Sequence, residues 1–420
     1  LKWVDPVNGA PNGGWRTNPF AWDRPCVIGE FYCFPTPGFA GERLFDPGLH
    51  EIEDPAGSKG IDYPSPLARN PGEEALRMMC TWYRVCGFAG LNPWVRSLDY
   101  AVEPTLLDPL EVRPNWPAGG EFSRQVAMVN DGGCPVGSVK WSLDGVDCDF
   151  HAGGLIVTNV FQGSSWVGTI RARLPESARP FKLKLKAVAC MGKGGPEQAR
   201  LQETISVWPT AYDLSRTVDA GTVGVAGTSA DGLLARLGLS SAVRVTDSLP
   251  ASVTTLVVAP EAFRPAHRKM LDDLFARGGT AIVMHQKEWL PHRPDLPQAD
   301  LQHAATKAFV RAKGHPLLEG VEEEHLWCWG TDNDLSAETY LKPHEGDFLP
   351  ILECGGAREL KWSPLLETRA GKGRAILNSF PSSALDDPIV LKMMANAILY
   401  AARTENGVRR PLAVALGTNT

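Results

Sequence analysis

Pro25-Cys26-Val27-Ile28-Gly29-Glu30-Phe31 is a short apolar run that closes on a carboxylate. Its length and its neighbouring Val and Ile read as a buried strand. Outward from it, the stretch from Glu73 to Cys86 carries Ala75, Leu76, Met79 and Trp82 at helical spacing. Gly87-Phe88-Ala89-Gly90-Leu91-Asn92-Pro93-Trp94 then reads as a second short strand. Strand, helix and strand make one parallel unit, and two strands alone cannot bury both of their faces. The pattern therefore predicts partner strands that this chain does not supply.

The bulk properties limit the readings. The chain has 420 residues, too many for one ordinary core, with 43 % hydrophobic and 21 % charged residues. The formal net charge is -6. That charge gives no reason to expect a nucleic-acid partner or an acidic membrane surface. No apolar run approaches the roughly 20 residues of a membrane span. The first residue is Leu1 rather than Met, and it reads as a cut point with no visible signal peptide. The compartment stays open, with secretion or the periplasm ranked slightly ahead of the cytoplasm. The 9 Cys residues show no CxxC and no zinc-finger spacing with His, so no metal site is expected. Most read as buried thiols, and a Cys134–Cys148 disulfide stays open. No cofactor is expected. Gly221, Gly224 and Gly227 lack dinucleotide-fingerprint spacing, and Asp332-Asn333-Asp334 reads as a polar turn rather than a calcium loop.

Three regions follow one another. Residues 1 to about 105 are rich in Trp, Pro and Gly. From about 106 to 208, alternating runs dominate: Glu121 to Asn130, Gly137 to Leu143, Gly168 to Leu174, Phe181 to Cys190 and Ala199 to Trp208. They predict an immunoglobulin-like β-sandwich. Lys182, Lys184 and Lys186 alternate with apolar residues and mark a solvated strand face. From about 212 to 405, buried strands such as Thr254 to Ala259, Thr280 to Met284 and Gly373 to Asn378 alternate with helices over Pro265 to Arg277 and Pro388 to Ala402. That alternation predicts a doubly wound α/β domain.

A carboxylate at the carboxyl end of a parallel barrel strand points into the site such barrels form on that face. In the form P-x-V-I-G-E-F, Pro25 to Phe31 resembles the seventh barrel strand of clan A glycoside hydrolases, the β-galactosidases, β-glucuronidases and β-mannosidases. The resemblance implies that Glu30 is the nucleophile of a retaining exo-glycosidase acting on O-glycosidic bonds. Gly87 to Trp94 resembles the eighth strand of that clan, whose end supplies an aromatic platform, which implies Trp94 and Asn92 as sugar contacts. The long loop from Tyr32 to Asn70 begins with Tyr32 and Phe34, implied as further contacts, and continues through Phe39, His50, Asp54, Asp62 and Tyr63. Trp3, Trp15 and Trp22 precede the strand and serve equally well as sugar platforms or as barrel packing. The acid/base Glu of the clan lies on a fourth strand that has no counterpart here.

The third region resembles class I glutamine amidotransferase-like domains. The turn after Thr280 to Met284 reads His285-Gln286-Lys287 where those enzymes hold a Cys, so the resemblance implies a non-catalytic domain. His315 to Leu318, Trp327 and Trp329 resemble segments of glycosidase-associated domains of this kind. The fold class expected is multi-domain α/β plus β. Residues 1–105 are the C-terminal remnant of a (β/α)8 barrel, 106–210 the immunoglobulin-like sandwich, 211–405 a flavodoxin-like, amidotransferase-like doubly wound domain, and 406–420 a loosely ordered tail. A carbohydrate substrate is the expected partner, and the α/β domain is where a homo-oligomer would form. The order of the last two domains is reversed relative to family 42 enzymes, so their trimer is not carried over. The alternative is a non-catalytic carbohydrate-binding or assembly module.

Overall fold

The computed structural model describes residues 27–31, 80–81, 83–85, 90–93, most of 103–286 and, in shorter stretches, 299–403. The protein is of multi-domain α/β plus β class, mostly sheet with few helices. It divides into two compact units, Leu1–Trp208 and Pro209–Thr420.

The first unit contains a parallel pair, β1 (Val27–Phe31) with β2 (Gly90–Pro93). Two further sheets follow. One has the order β3-β5-β8, from Thr105–Pro109, Glu121–Asn130 and Ser164–Arg173. The other has the order β4-β10-β9-β6-β7, from Asn115–Pro117, Glu197–Trp208, Phe181–Cys190, Val136–Gly145 and His151–Val160. Period-two alternation fixes which face is buried. On β9, Leu183, Leu185, Ala187 and Ala189 are all fully buried, while the lysines between them are partly or fully exposed. They meet Phe122, Met128 and Ile170 from the opposite sheet in one core. Each large side chain of this kind contributes about 1.5–3 kcal/mol by leaving water.

Arg124 is a charged residue inside this core edge. Arg124, 1 % exposed, sends Nε to Glu203 Oε1 at 2.7 Å, Nη1 to the Glu111 carbonyl at 3.1 Å and Nη2 to the Arg113 carbonyl at 3.0 Å. Its guanidinium lies over the Trp116 ring at 5.8 Å. A methionine here could fill the space but could donate none of these bonds. The thiols of Cys134 and Cys148 are free, so the disulfide left open above does not form.

The second unit is built on five parallel strands in the order β12-β11-β13-β14-β20: Val243–Arg244, Val223–Ala226, Thr255–Val258, Thr280–Val283 and Gly373–Asn378. Numbered by position in the chain, that is 2-1-3-4-5. β11, β13 and β14 are buried at every residue, as strands covered on both faces must be. Helix α1 (Asp231–Arg236) lies between β11 and β12, α2 (His267–Ala276) between β13 and β14, and α3 (Pro388–Arg403) follows β20. Helix α2 buries Met270, Leu271, Leu274 and Phe275 on one side and ends at Gly278, whose φ of 86° suits the left-handed stop. A Cβ on Gly373 would lie 2.2 Å from the Gly279 carbonyl oxygen, so only glycine lets β20 begin this close to the helix end. Beyond β20 the sheet turns antiparallel through β19 (Glu359–Ala370), β17 (Thr339–Leu341) and β15 (Ala299–Asp300), while β18 (Phe348–Gly356) pairs with β19 and with β16 (Phe309–Val310).

Arg124→Met should destabilise the first unit by about 3 kcal/mol, because it leaves the half-buried Glu111 carbonyl and the Glu203 carboxylate without this donor, while the Arg113 carbonyl keeps Trp116 Nε1 at 3.1 Å. Glu203→Gln keeps an acceptor and should cost about 1 kcal/mol or less. Urea unfolding followed by tryptophan fluorescence measures both; equal losses would show that the ion pair rather than the carbonyl contacts holds Arg124.

Candidate functional site

The first candidate lies at the carboxyl ends of β1 and β2. Val27 stands level with Gly90 and Ile28 with Leu91, but Glu30, not Gly29, stands level with Asn92. One extra residue on β1 makes this shift. Bulges of this kind recur beside active sites, where they re-aim a residue. Of the residues expected to form the sugar site, the backbone thus brings Glu30 and Asn92 together. Trp94, Tyr32 and Phe34 lie outside the described residues, as do Phe39, His50, Asp54, Asp62 and Tyr63 of the long loop and Trp3, Trp15 and Trp22.

The helical segment between the two strands is tied to the sheets of the same unit. Thr81 Oγ1 donates to Asp108 Oδ2 at 2.8 Å. Arg84 Nη2 donates to the Glu103 carbonyl at 2.8 Å and to Asp131 Oδ2 at 2.9 Å. Ser165 Oγ donates to the Val85 carbonyl at 3.3 Å. Burial pushes the Cys80 thiol up to about 12, against the opposing charge of Arg84. Cys80 is therefore a packed thiol and not a nucleophile.

The second candidate is the carboxyl edge of the parallel sheet in the second unit. Open α/β sheets place ligands there, where the strand order reverses. The reversal falls between β11 and β13. Gly227 ends β11 with φ 89°, and a Cβ on it would lie 2.4 Å from Ala262 Cβ. Glu261 follows β13 with φ 57°, the one non-glycine residue of positive φ among the described residues. Such backbone costs about 1–3 kcal/mol and persists only where neighbours enforce it. Three neighbours do so. The Glu261 N–H donates to the His285 carbonyl at 3.0 Å. Arg264 Nη1 donates to the Glu261 carbonyl at 3.0 Å. Gln286, buried, donates to the Ala259 and Met284 carbonyls at 2.7 and 2.8 Å and accepts from the Phe263 N–H at 2.8 Å.

The Glu261 carboxylate lies 3.2 Å from His285 Nδ1; the imidazole is 8 % exposed and the carboxylate 49 %. A carboxylate that orients an imidazole equips it to take a proton. No Cys stands at these turns, so the pair has no thiol to activate. Gln286, in sequence only part of a Cys-less turn, is the staple between two turns. Glu261 is not legible in the sequence as a site residue. Its one signal is a Pro-Glu step after an apolar strand, and Glu is not a residue whose identity announces positive φ.

Glu322, Glu324 and His325 offer ligand atoms within 4.8 Å of one another. Their geometry is that of a helix cap. The Glu322 N–H donates to His325 Nδ1 at 2.9 Å, and the Glu322 side chain accepts from the His325 backbone.

No family model matches the chain, and no curated protein does. Solved structures resemble parts of it at low similarity. A CARDB domain from Pyrococcus furiosus is 12 % identical over 24 % of this chain and 84 % of its own, with a TM-score of 0.19. A β-glucosidase from Listeria innocua is 9 % identical over 24 % of this chain and 16 % of its own, TM-score 0.19. A cycloisomaltooligosaccharide glucanotransferase from Paenibacillus is 10 % identical over 41 % and 26 %, TM-score 0.20. Among the described residues, no helix is long and apolar enough to cross a membrane.

His267, at the start of α2, supplies a pH-dependent test of this edge. Its Nδ1 accepts from the Arg264 N–H at 3.1 Å. Burial, and then the charge of Arg264, hold the imidazole below its ordinary value of 6.5. The unfolded chain therefore takes up the proton first as pH falls. The stability contributed by neutral His267 should be complete above about pH 6.5 and be lost as pH falls from there toward the folded value. Thermal unfolding of the second unit from about pH 7.5 to about pH 5 should show this slope. His267→Gln, which keeps an acceptor, should flatten it; an unchanged slope would assign the loss to other groups.

Proposed function

We propose that this chain is the C-terminal part of a retaining exo-glycosidase that hydrolyses O-glycosidic bonds, β-galactosidase-like in type, with Glu30 as its nucleophile. The observation that carries the reading is the parallel β1–β2 pair, in which a register shift sets Glu30 level with Asn92 at the carboxyl ends. In this reading β1 and β2 are the last two strands of a barrel whose other strands lie outside these residues. The sheets of residues 106–210 form an immunoglobulin-like sandwich. The strand order 2-1-3-4-5 supports a flavodoxin-like reading of residues 211–405. The turn at His285 lacks the thiol of an amidotransferase, and the domain serves packing or assembly.

The chemistry follows from two carboxyl groups roughly 5 Å apart. The Glu30 carboxylate attacks the anomeric carbon while a carboxylic acid protonates the departing oxygen. A glycosyl ester on Glu30 results. The second group, now a carboxylate, then takes a proton from water, which attacks the same carbon and releases Glu30. Trp94 would lie under the sugar ring, and Asn92 would reach a hydroxyl. In this reading the proton donor lies outside the present sequence, so these 420 residues alone should not turn over nitrophenyl glycosides.

In the intact parent enzyme, Glu30→Gln should keep the fold and lower kcat by several orders of magnitude, on the order of several kcal/mol of transition-state stabilisation. Azide should partly restore Glu30→Ala and yield a glycosyl azide of inverted configuration. Turnover near wild type in Glu30→Gln would remove Glu30 from the chemistry and leave the binding or assembly module. The chain should release no ammonia from glutamine; measurable release would overturn the non-catalytic reading of its α/β domain.

A further inference from the structure

Sheet edges expose unpaired N–H and C=O groups, and folded chains blunt them with short strands, proline or charge. The five-stranded sheet of the first unit treats its two edges differently. At one edge, β4 is three residues long and ends in Pro117. At the other, β7 runs for ten residues, with one register shift between Val157 and Val160, and among the described residues pairs only with β6. From Phe150 through Ile170 there is no Asp, Glu, Lys, Arg or Pro. The exposed large hydrophobic residues among those described all fall in this neighbourhood: Val146 at 59 %, Leu155 at 45 %, Val157 at 68 %, Phe161 at 65 % and Val167 at 43 %. They occupy β7, the turns at its two ends and β8. Leu155 and Val157 are the two on β7 itself, and exposed aliphatic side chains side by side on an open edge suit a surface that meets a partner.

We propose that the free edge of β7 pairs with the same edge of a second copy of this chain, joining two five-stranded sheets into one. Self-pairing of identical strands is antiparallel and two-fold symmetric. With the axis at Ile156, Leu155 of one copy stands opposite Val157 of the other, twice. Leu155 and Val157, two apart, share the outward face, so the axis gathers four exposed aliphatic side chains into one cross-strand cluster. The uncharged run gives complementarity in the sense a homodimer needs, since no like charges are brought together. The regular stretch His151–Val157 supplies the main-chain pairing; beyond it β7 has one extra residue against β6 before Val160, whose carbonyl already accepts from Asn130 Nδ2 at 2.9 Å. This interface is separate from the assembly expected of the α/β domain and does not rest on the glycosidase reading.

The test is sedimentation velocity of the full chain over a dilution series, with amide exchange of the peptide covering His151–Val160. The wild type should dimerise, and exchange in that peptide should slow as concentration rises. Leu155→Lys and Val157→Glu, each at an exposed position, should keep the thermal unfolding midpoint and each weaken dimerisation at least about a hundredfold, since each substitution enters the interface twice. Mixing the two variants should restore a dimer, because the ammonium introduced into one copy then stands opposite the carboxylate introduced into the other. A wild type that stays monomeric at its highest soluble concentration would overturn the proposal. So would a Val157→Glu protein that still dimerises, or a mixture of the two variants that stays monomeric.

Discussion

Two strands that run the same way can be neighbours only if the chain between them crosses back over the sheet, and the crossing leaves every carboxyl end on one edge. Both units obey this constraint. In the first, the segment from Phe31 to Gly90 returns the chain so that Glu30 and Asn92 end level. In the second, successive returns bring Gly227, Glu261 and His285 to adjacent turns. The polar residues that could act chemically are near one another because the pairing is parallel. A hairpin would have sent consecutive strand ends to opposite edges.

Parallel pairing also shapes the sheet of the second unit beyond β20. Among the described residues β20 is the last parallel strand of this sheet; antiparallel β19 lies beside it, and side chains tie α3 to both. Glu367 of β19, 2 % exposed, does much of this. It accepts from Arg374 Nη1 at 3.0 Å and from the Tyr400 hydroxyl at 3.3 Å, and His315 Nε2 lies 3.2 Å from its other oxygen. Arg374 and Tyr400 also bond each other, and the guanidinium lies 4.8 Å from the Tyr400 ring centroid. Burial, and then the Glu367 charge, push the Tyr400 phenol up to about 12, so it stays a donor. Asn396 of α3 adds two bonds, to the Leu317 and Glu319 carbonyls at 3.0 Å. A buried carboxylate with this many donors is satisfied, and removing any one donor would expose its desolvation cost.

Much of this architecture is legible in the sequence because its elements are periodic. β5 and β9 have the bounds that alternation predicts, and β20 those of its apolar run. β7 is not legible. Gly153 and Gly154 interrupt its alternation, and Gly154 is needed because a Cβ there would lie 2.9 Å from Trp141 Nε1. The antiparallel strands β15 to β19 escape as well. Several are two or three residues long, too short for any period, and the long β19 carries a proline at 364. At the candidate sites the carboxylate of Glu30 is legible as a strand end. The shift that sets it level with Asn92 is not, because register is a property of two strands and a sequence shows one at a time. Glu261 escapes for a related reason: its conformation is imposed by His285, Gln286 and Arg264, which reach it through space.

The two acidic residues at these edges have opposite deficits. The Glu261 carboxylate lies 3.2 Å from His285 Nδ1, but no Cys stands at these turns for the pair to activate. A His–Glu pair without a thiol can act only on water or on a hydroxyl, and here both residues are also committed to holding two turns together. Their existing bonds account for the strained backbone without any ligand. Glu30 is the reverse case. A carboxylate is a competent nucleophile by itself, and the extra residue in β1 is of the kind that re-aims a residue beside a site. The register shift sets Glu30 level with Asn92, and for that reason the proposed chemistry is placed at the edge that holds Glu30.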